Sequence, residues 1–228
     1  MERLFVIVGR INNVLLLLVL LSAAGSIVWM TAESHQFQHR GAVEVSDVEA
    51  GHKKSVLLNF EKVENIAGAN AQLMRLTAQE KSAKFSSGGY GGETRNVLFL
   101  TGSEKSARWL FKEHKNLVLV TAQLSEESLS TKENVTRALY FEYVSEDTNH
   151  DDILSAADHS NVGLTKPDGT AFMEVLHDVS RILSYEMLDQ QHLSVVYQKG
   201  PTVRHAKFSV VTLKLETDQE IVNVPSTL

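Results

Sequence analysis

The sequence predicts a mainly β protein in which an N-terminal transmembrane helix precedes an antiparallel β domain. Two observations carry this prediction. The segment 14–32 contains no charged residue and almost no polar side chain. From Ser55 onward, short runs rich in Val, Leu, Phe and Tyr are separated by turn residues, which is typical of β-strands. The chain of 228 residues leaves enough length after the helix for one domain with its own core.

The apolar segment 14–32, VLLLLVLLSAAGSIVWMTA, has the length of a membrane anchor. A helix needs about 20 mainly apolar residues to cross the hydrocarbon core, and Trp29 lies near one end, where an amphipathic ring suits the interface. The alternative is a cleaved signal peptide, in which Ser22-Ala23-Ala24 would supply the small residues before the cleavage site. Because the segment stays apolar through Met30, the anchor is the favoured interpretation.

The distribution of positive charge predicts the orientation of this anchor. Arg3 and Arg10 precede the apolar segment, whereas Arg40 is the first arginine or lysine after it. Positively charged flanks stay in the cytoplasm. We therefore expect a single-pass protein of the bacterial inner membrane, with a cytoplasmic N-terminus and a periplasmic, or more generally extracytoplasmic, C-terminal domain.

The predicted organisation has four parts along the chain. Residues 1–13 form a short cytoplasmic N-terminus, and residues 14–32 form a transmembrane anchor that contacts lipid. Residues 33–54 form a polar stalk, and residues 55–228 form the extracytoplasmic β domain.

Composition excludes several classes of protein. The net charge is −6 and the pI about 5.8, so a nucleic-acid partner is not expected, because neutralising phosphates requires clustered Lys and Arg. The chain has no cysteine, which excludes disulfides and thiolate chemistry. The domain must therefore be held together by packing or by a bound ion.

Eleven segments have the composition and length of strands: Ser55–Val63, Ala71–Leu76, Asn96–Thr101, Ala107–Phe111, Leu117–Leu124, Ala138–Val144, Asn161–Thr165, Ala171–Leu176, Ser180–Glu186, Leu193–Gln198 and Val203–Leu213. Three stretches have an amphipathic pattern that a helix would also explain. These alternatives are Glu104–His114, Ser125–Arg137 and His177–Leu188.

The strand segments recur at intervals that suggest groups. The runs VLLNF, VLFL, LYFEY and LSVVY are separated by 41, 42 and 54 residues, and each is followed by a second run opening with Ala. They begin at Val56, Val97, Leu139 and Leu193. About 40 residues is the length of a four-stranded propeller blade.

A turn in the segment Gly163–Val175 supports the same interpretation. In it, Pro167 presets φ, Asp168 caps the turn and Gly169 takes the left-handed position. On these residues the segment resembles the hairpin of TolB-like and WD40-like propeller repeats. The resemblance implies blade-like sheets, whereas a two-sheet β-sandwich explains the same strands. Both architectures stay open.

The segment 147–158, DTNHDDILSAAD, resembles the calcium loop of EF-hand and dockerin-type proteins, which surrounds the ion with oxygen donors at fixed positions. The resemblance implies a structural Ca²⁺. Its donors would be the side-chain oxygens of Asp147, Asn149 and Asp151, the carbonyl of Ile153, the hydroxyl of Ser155 or a bridging water, and the carboxylate of Asp158.

Two positions depart from that pattern. The sixth is Asp152 rather than the glycine that makes the sharp turn, and the twelfth, Asp158, is shorter than the usual Glu. The flanking sequences also have the composition of strands rather than helices. The expected role is thus a structural clip between strands, with an ordinary acidic surface loop as the alternative.

No catalytic arrangement is evident in the sequence, and we expect the protein not to be an enzyme. Asp158, His159 and Ser160 are adjacent, and neighbouring strand residues point to opposite faces. The predicted function is a calcium-stabilised accessory or scaffold subunit that binds a protein partner in a cell-envelope membrane complex.

Two other functions stay open. One is an extracytoplasmic small-molecule or sugar-binding sensor domain, and the other is a hydrolase whose catalytic groups converge only in space. A flat apolar patch favours the scaffold, a concave aromatic pocket favours the sensor, and convergent Ser, His and Asp side chains favour the hydrolase.

Overall fold

The computed structural model describes residues 22, 43–47, 54–80, 92–125 and 135–225. From 54 to 225 the described residues form antiparallel β-sheets and no helix, which confirms the mainly β class. The predicted helical alternatives Glu104–His114 and His177–Leu188 are therefore wrong, because strands and turns occupy both. Most of the third alternative, Ser125–Arg137, lies outside the described residues.

The first sheet contains six strands: β1 (Val43–Asp47), β2 (Lys54–Phe60), β3 (Glu64–Asn65), β4 (Ala71–Glu80), β5 (Glu93–Thr101) and β6 (Ser106–Trp109). Its order is β1-β2-β4-β5-β6, with the short β3 paired to β4. The predicted repeat runs at Val56 and Val97 both lie in this sheet, in β2 and β5. The four predicted groups of strands therefore correspond to three sheets.

The central sheet is a four-stranded meander of β7 (Leu117–Leu124), β8 (Ala138–Val144), β9 (Ser160–Thr165) and β10 (Met173–Val179). The third sheet is a second meander of β11 (Arg181–Met187), β12 (His192–Lys199), β13 (Thr202–Ser209) and β14 (Lys214–Asn223). Only Ser180 separates the last strand of the central sheet from the first strand of the third. Sequential antiparallel strands need no long crossover.

Strand β8 is buried on both faces. Because successive side chains of a strand point in opposite directions, they pack into two different clusters. Ala138 and Tyr140 belong to a cluster shared with the third sheet, which includes Phe208. Leu139 and Phe141 belong to a cluster shared with the first sheet. The central sheet thus packs between the other two, which explains why β8 is a near-continuous apolar run.

Most predicted strands are confirmed, but β1, β3 and β14 are not among the predicted segments, and β1 lies within the predicted stalk, 33–54. The predicted strand Val203–Leu213 ends at Ser209, and the chain then turns and returns as β14. All ten residues of β14 are exposed, and the sequence KLETDQEIVN has no apolar run. Pattern analysis recognises strands by a buried face, and this strand has none.

The predicted membrane anchor, 14–32, lies outside the described residues except for residue 22. In the part of the chain that the structure describes, no helix is long and apolar enough to cross a bilayer. The 1–13 segment also lies outside that part.

The Pro-Asp-Gly turn between β9 and β10 has the conformation that the sequence predicts. Gly169 has a φ of 76°, and its N–H donates to the carbonyl of Lys166 at 2.9 Å. A Cβ on Gly169 would overlap the buried ring of Phe99 in the first sheet. The glycine is required both by the turn and by close packing between sheets.

We expect Gly169→Ala to lower the free energy of unfolding by about 3 kcal/mol, from left-handed strain and overpacking together. Gly102→Ala is the matched control, because Gly102 has a φ of 70° but no heavy atom within 4 Å of a Cβ. Its cost should be about 1 kcal/mol, from strain alone. Urea unfolding followed by circular dichroism measures both, and equal losses would contradict the packing role.

Candidate functional site

The 147–158 loop connects β8 to β9 at one end of the central sheet. Strands flank it on both sides, as the sequence predicts. Its first half is a series of turns in which side-chain oxygens accept backbone N–H groups. Asp147 accepts from Asp151 at 3.2 Å and from Asp152 at 2.8 Å. Asn149 Oδ1 accepts from Asp151 at 2.9 Å.

Asp152, at the sixth position, has a φ of 64°. The backbone therefore makes the left-handed turn there that glycine makes in the resembled loops, which Asp tolerates better than most residues. Asp151 Oδ1 accepts the N–H of Ile153 at 2.9 Å, and Ile153 is 59% exposed. The Ser155 hydroxyl accepts the N–H of Ala157 at 3.1 Å.

Asp158 closes the loop from inside. Its side chain is 3% exposed, and its carboxylate accepts bonds from the Thr148 N–H and hydroxyl and from the N–H groups of Asn149 and Ser155, at 2.8–3.2 Å. Burial raises the pKa of this carboxyl, but the bonds from Ser155, Asn149 and Thr148 outweigh burial and hold the pKa below its usual value. The hydrogen bonds of the loop therefore stabilise the ionised carboxylate of Asp158.

The predicted donors fit calcium in chemistry but only partly in arrangement. All six positions offer oxygen, the donor that Ca²⁺ prefers. The closing carboxylate of Asp158 does not fit, because both its oxygens accept hydrogen bonds from the loop. Among the described residues, no group of three or more His, Asp or Glu side chains is arranged to hold a metal ion.

The loop also positions His159, the residue after its last acid. The N–H of His159 donates to the Thr148 hydroxyl at 2.8 Å, and that hydroxyl is itself bonded to Asp158. His159 Nδ1 lies 2.6 Å from Asp178 Oδ1, and His159 Nε2 lies 3.5 Å from Ser180 Oγ. A serine, a histidine and an aspartate thus converge at the end of the β9–β10 pair.

Strand register brings these three side chains together. Ser160 is paired with Val179, so the next residues outward, His159 and Ser180, lie across from each other. The sequence analysis gives no catalytic role to the adjacent residues Asp158, His159 and Ser160. The actual partners are 19 and 21 residues from His159 along the chain, and only the pairing of β9 with β10 reveals them.

Asp178 is held in place by several groups. It has a φ of 57°, and its N–H donates to Asn161 Oδ1 at 2.9 Å. Lys199 Nζ lies 3.5 Å from its Oδ2. The hydrogen bond with His159 lowers the pKa of the Asp178 carboxyl, burial opposes that effect, and the charge of Lys199 adds to it. The carboxylate is therefore ionised beside the imidazole.

A shallow, open depression with a cavity volume of about 20 Å³, enough for about one water molecule, lies next to these residues. Its lining is polar: Ser145, Glu146, Thr148, His159, Asn161, His177 and Asp178. Small-molecule sites usually enclose roughly 300–1,000 Å³ and are mainly apolar. The depression can admit a small polar group but does not enclose a ligand.

No family model matches the chain, and no similar curated protein is found. Solved structures with some similarity include a luciferin-regenerating enzyme, at a TM-score of 0.35 and 10% identity, covering 80% of this chain and 65% of that one. Another is a mutant puromycin hydrolase complexed with PGG, at a TM-score of 0.34 and 9% identity, covering 75% and 28%. The chain spans less than two thirds of either, and such weak likeness carries no argument.

We expect Asp158→Asn to destabilise the protein by about 2 kcal/mol, because an amide cannot accept the same set of N–H and O–H donors as a carboxylate. Asp152→Asn is the control, since Asp152 is exposed and Asn tolerates its left-handed backbone. Its effect should stay within about 0.5 kcal/mol. Urea unfolding of both variants measures the difference, and equal stability would show that the inward carboxylate is dispensable.

Proposed function

We propose that this protein is a single-pass, membrane-anchored scaffold or accessory subunit whose extracytoplasmic β domain binds a protein partner in the bacterial cell envelope. The apolar segment 14–32 and the arginines before it support the anchor and its orientation. The observation that carries the binding role is the exposed edge of the third sheet, formed by β14.

Strand β14 offers both backbone and apolar side chains to a partner. Among the described residues it pairs with β13 alone, so its other edge carries no strand. Leu215, Ile221 and Val222 on this strand are about half exposed, at 48%, 54% and 52%. A long open edge with apolar side chains is a template for an added strand.

The charge of β14 selects the chemistry of that partner. The strand carries three acids, Glu216, Asp218 and Glu220, and one positive residue, Lys214. Glu216 and Asp218 form ion pairs with basic residues of β13, at 3.2 and 3.0 Å, so Glu220 is the acid that a partner can contact without breaking either pair. Antiparallel pairing with a second copy, centred on 218–220, would place acidic side chains opposite acidic side chains, which is unfavourable. The proposed partner is therefore an extended segment that carries Lys or Arg between apolar residues.

The blade-like architecture belongs to the same proposal. The central and third sheets are four-stranded meanders that pack face to face, as neighbouring blades do. In the propeller-like interpretation, the first sheet is a third, irregular blade. A β-sandwich remains the alternative, since it also packs antiparallel sheets face to face. The depression beside His159 does not favour the sensor alternative, because polar rather than aromatic groups line it.

A structural Ca²⁺ in the 147–158 loop is part of the proposal. Asp147, Asn149 and Asp151 are at or near the surface, and their oxygens, with the Ile153 carbonyl and the Ser155 hydroxyl or a water, would hold the ion. Asp158 would join them only by giving up loop N–H groups. The ion would then bridge the end of β8 to the start of β9.

The absence of cysteine allows a specific test of the binding edge. In the full-length chain, Ile221→Cys introduces a single thiol on β14. Val63→Cys is the control, with similar exposure but in the segment between β2 and β3. A maleimide–succinimide cross-linker joins that thiol to lysine on a partner. In intact cells we expect an adduct from Ile221→Cys and none from Val63→Cys.

Three further measurements define the partner and its side of the membrane. High salt and Glu220→Lys should both reduce the adduct, because the proposed attraction is electrostatic. Prior treatment of cells with a membrane-impermeant maleimide should abolish it. Equal adducts at both positions, an adduct of two copies of this chain, or insensitivity to the impermeant reagent would contradict the proposal.

Calcium should raise the melting temperature of the full-length chain in detergent. Binding at 100 times the dissociation constant contributes about 2.7 kcal/mol of stability. Asp147→Ala should remove the increase, whereas Asp189→Ala, in an exposed turn of the third sheet, should retain it. Identical melting curves with calcium and with chelator would exclude the site.

A further inference from the structure

We propose that Ser180, His159 and Asp178 form a nucleophilic site that hydrolyses small, activated carboxylic esters. The site is separate from the β14 edge, so the two proposals stand or fall independently. It rests on the convergence of three side chains at the junction of the central and third sheets, where Ser180 is the single residue between β10 and β11.

The hydrogen-bond chain has the polarity that nucleophile activation requires. With Nδ1 of His159 donating to Asp178 Oδ1 at 2.6 Å, Nε2 keeps its lone pair and lies 3.5 Å from Ser180 Oγ. That second distance is long for a hydrogen bond, but such contacts are commonly loose before substrate binds. The serine, the base and the orienting carboxylate are therefore arranged in the order of an acyl-transfer triad.

Asp178 is the positioning residue: it is held in place and therefore fixes the orientation of the His159 imidazole. Its left-handed backbone, with a φ of 57°, is fixed by the bond to Asn161. A strained backbone that the surrounding structure holds in place is a feature of many functional sites. The Lys199 ammonium also donates to the carbonyl of His177 at 3.1 Å, which links the third sheet to the end of β10, where Asp178 lies.

Ser180 is oriented by two backbone bonds. Its N–H donates to the carbonyl of Gln198 at 2.9 Å, and its hydroxyl accepts the N–H of Gly200 at 3.0 Å. An amide donor on Oγ favours the developing alkoxide over the neutral hydroxyl.

The surroundings define the class of substrate. His159 and Asp178 are 43% and 46% exposed, and the neighbouring depression is shallow and polar. A site of this kind can admit a short acyl group but cannot bind a long chain. Because it encloses so little of a ligand, it depends on a good leaving group, as in a phenyl ester of a short acid.

The reaction proceeds in two balanced stages. Ser180 Oγ bonds to the carbonyl carbon as its proton passes to Nε2 of His159, and the leaving oxygen departs with that proton. Water then bonds to the acyl carbon and gives a proton to Nε2, and the bond to Oγ breaks as Oγ regains the proton. Ester and water become carboxylic acid and alcohol.

The test uses the full-length chain purified in detergent, with p-nitrophenyl acetate as substrate and a fluorophosphonate as covalent probe. Mass spectrometry should locate the adduct on Ser180. Ser180→Ala should abolish labelling and reduce hydrolysis to background, and His159→Ala should reduce kcat/KM at least tenfold, since general base catalysis contributes about 10²–10⁴. Asp178→Asn should lower kcat with KM unchanged, and Asp178→Glu should restore part of it.

Ser194 provides the matched control. Its hydroxyl lies 3.0 Å from Nε2 of His205, but the described residues place no carboxylate in hydrogen-bond contact with that histidine, and Ser194 is 5% exposed. Ser194→Ala should keep full labelling and activity. Melting curves verify that each variant folds. Wild-type hydrolysis that Ser180→Ala leaves unchanged, an adduct on another residue, or no adduct would overturn the proposal.

Discussion

Strand β8 packs against apolar side chains on both of its faces, and the arrangement of the other two sheets depends on this packing. Tyr140 stacks on Tyr185 of the third sheet with ring centroids 4.3 Å apart, while Phe141 meets Phe99 of the first sheet edge to face at 6.3 Å. Each fully buried side chain of this size contributes roughly 2 kcal/mol. Because the chain has no disulfide, this burial must stabilise the fold without covalent cross-links.

The polar features of the domain lie at the ends and edges that this packing leaves uncovered. The 147–158 loop closes one end of the central sheet, and Asp158 turns inward to satisfy its N–H groups. The inward carboxylate places His159 just before β9, beside Asp178 at the end of β10 and Ser180 directly after that strand. The acidic loop that resembles a metal site thus also positions a residue of the proposed nucleophilic site.

The β14 edge differs in kind from that cluster. It has no fixed geometry of functional groups, but it combines a long open row of backbone donors and acceptors with apolar and acidic side chains. Natural proteins place charges on such edges to prevent uncontrolled pairing. The same charges can select a partner of opposite sign, so protection against self-association and recognition of a basic strand have one physical origin.

The sequence alone determined the mainly β class, most of the strands and the Pro167-Asp168-Gly169 turn, because apolar alternation and turn chemistry are local properties. The oxygen donors of a calcium site in the 147–158 loop stay a prediction from the sequence. Tertiary structure decided that Asp158 faces inward, that Ser180 and His159 meet, and that β14 exists as a strand. Those features depend on strand register and on burial by residues far away in the chain, and neither leaves a local pattern.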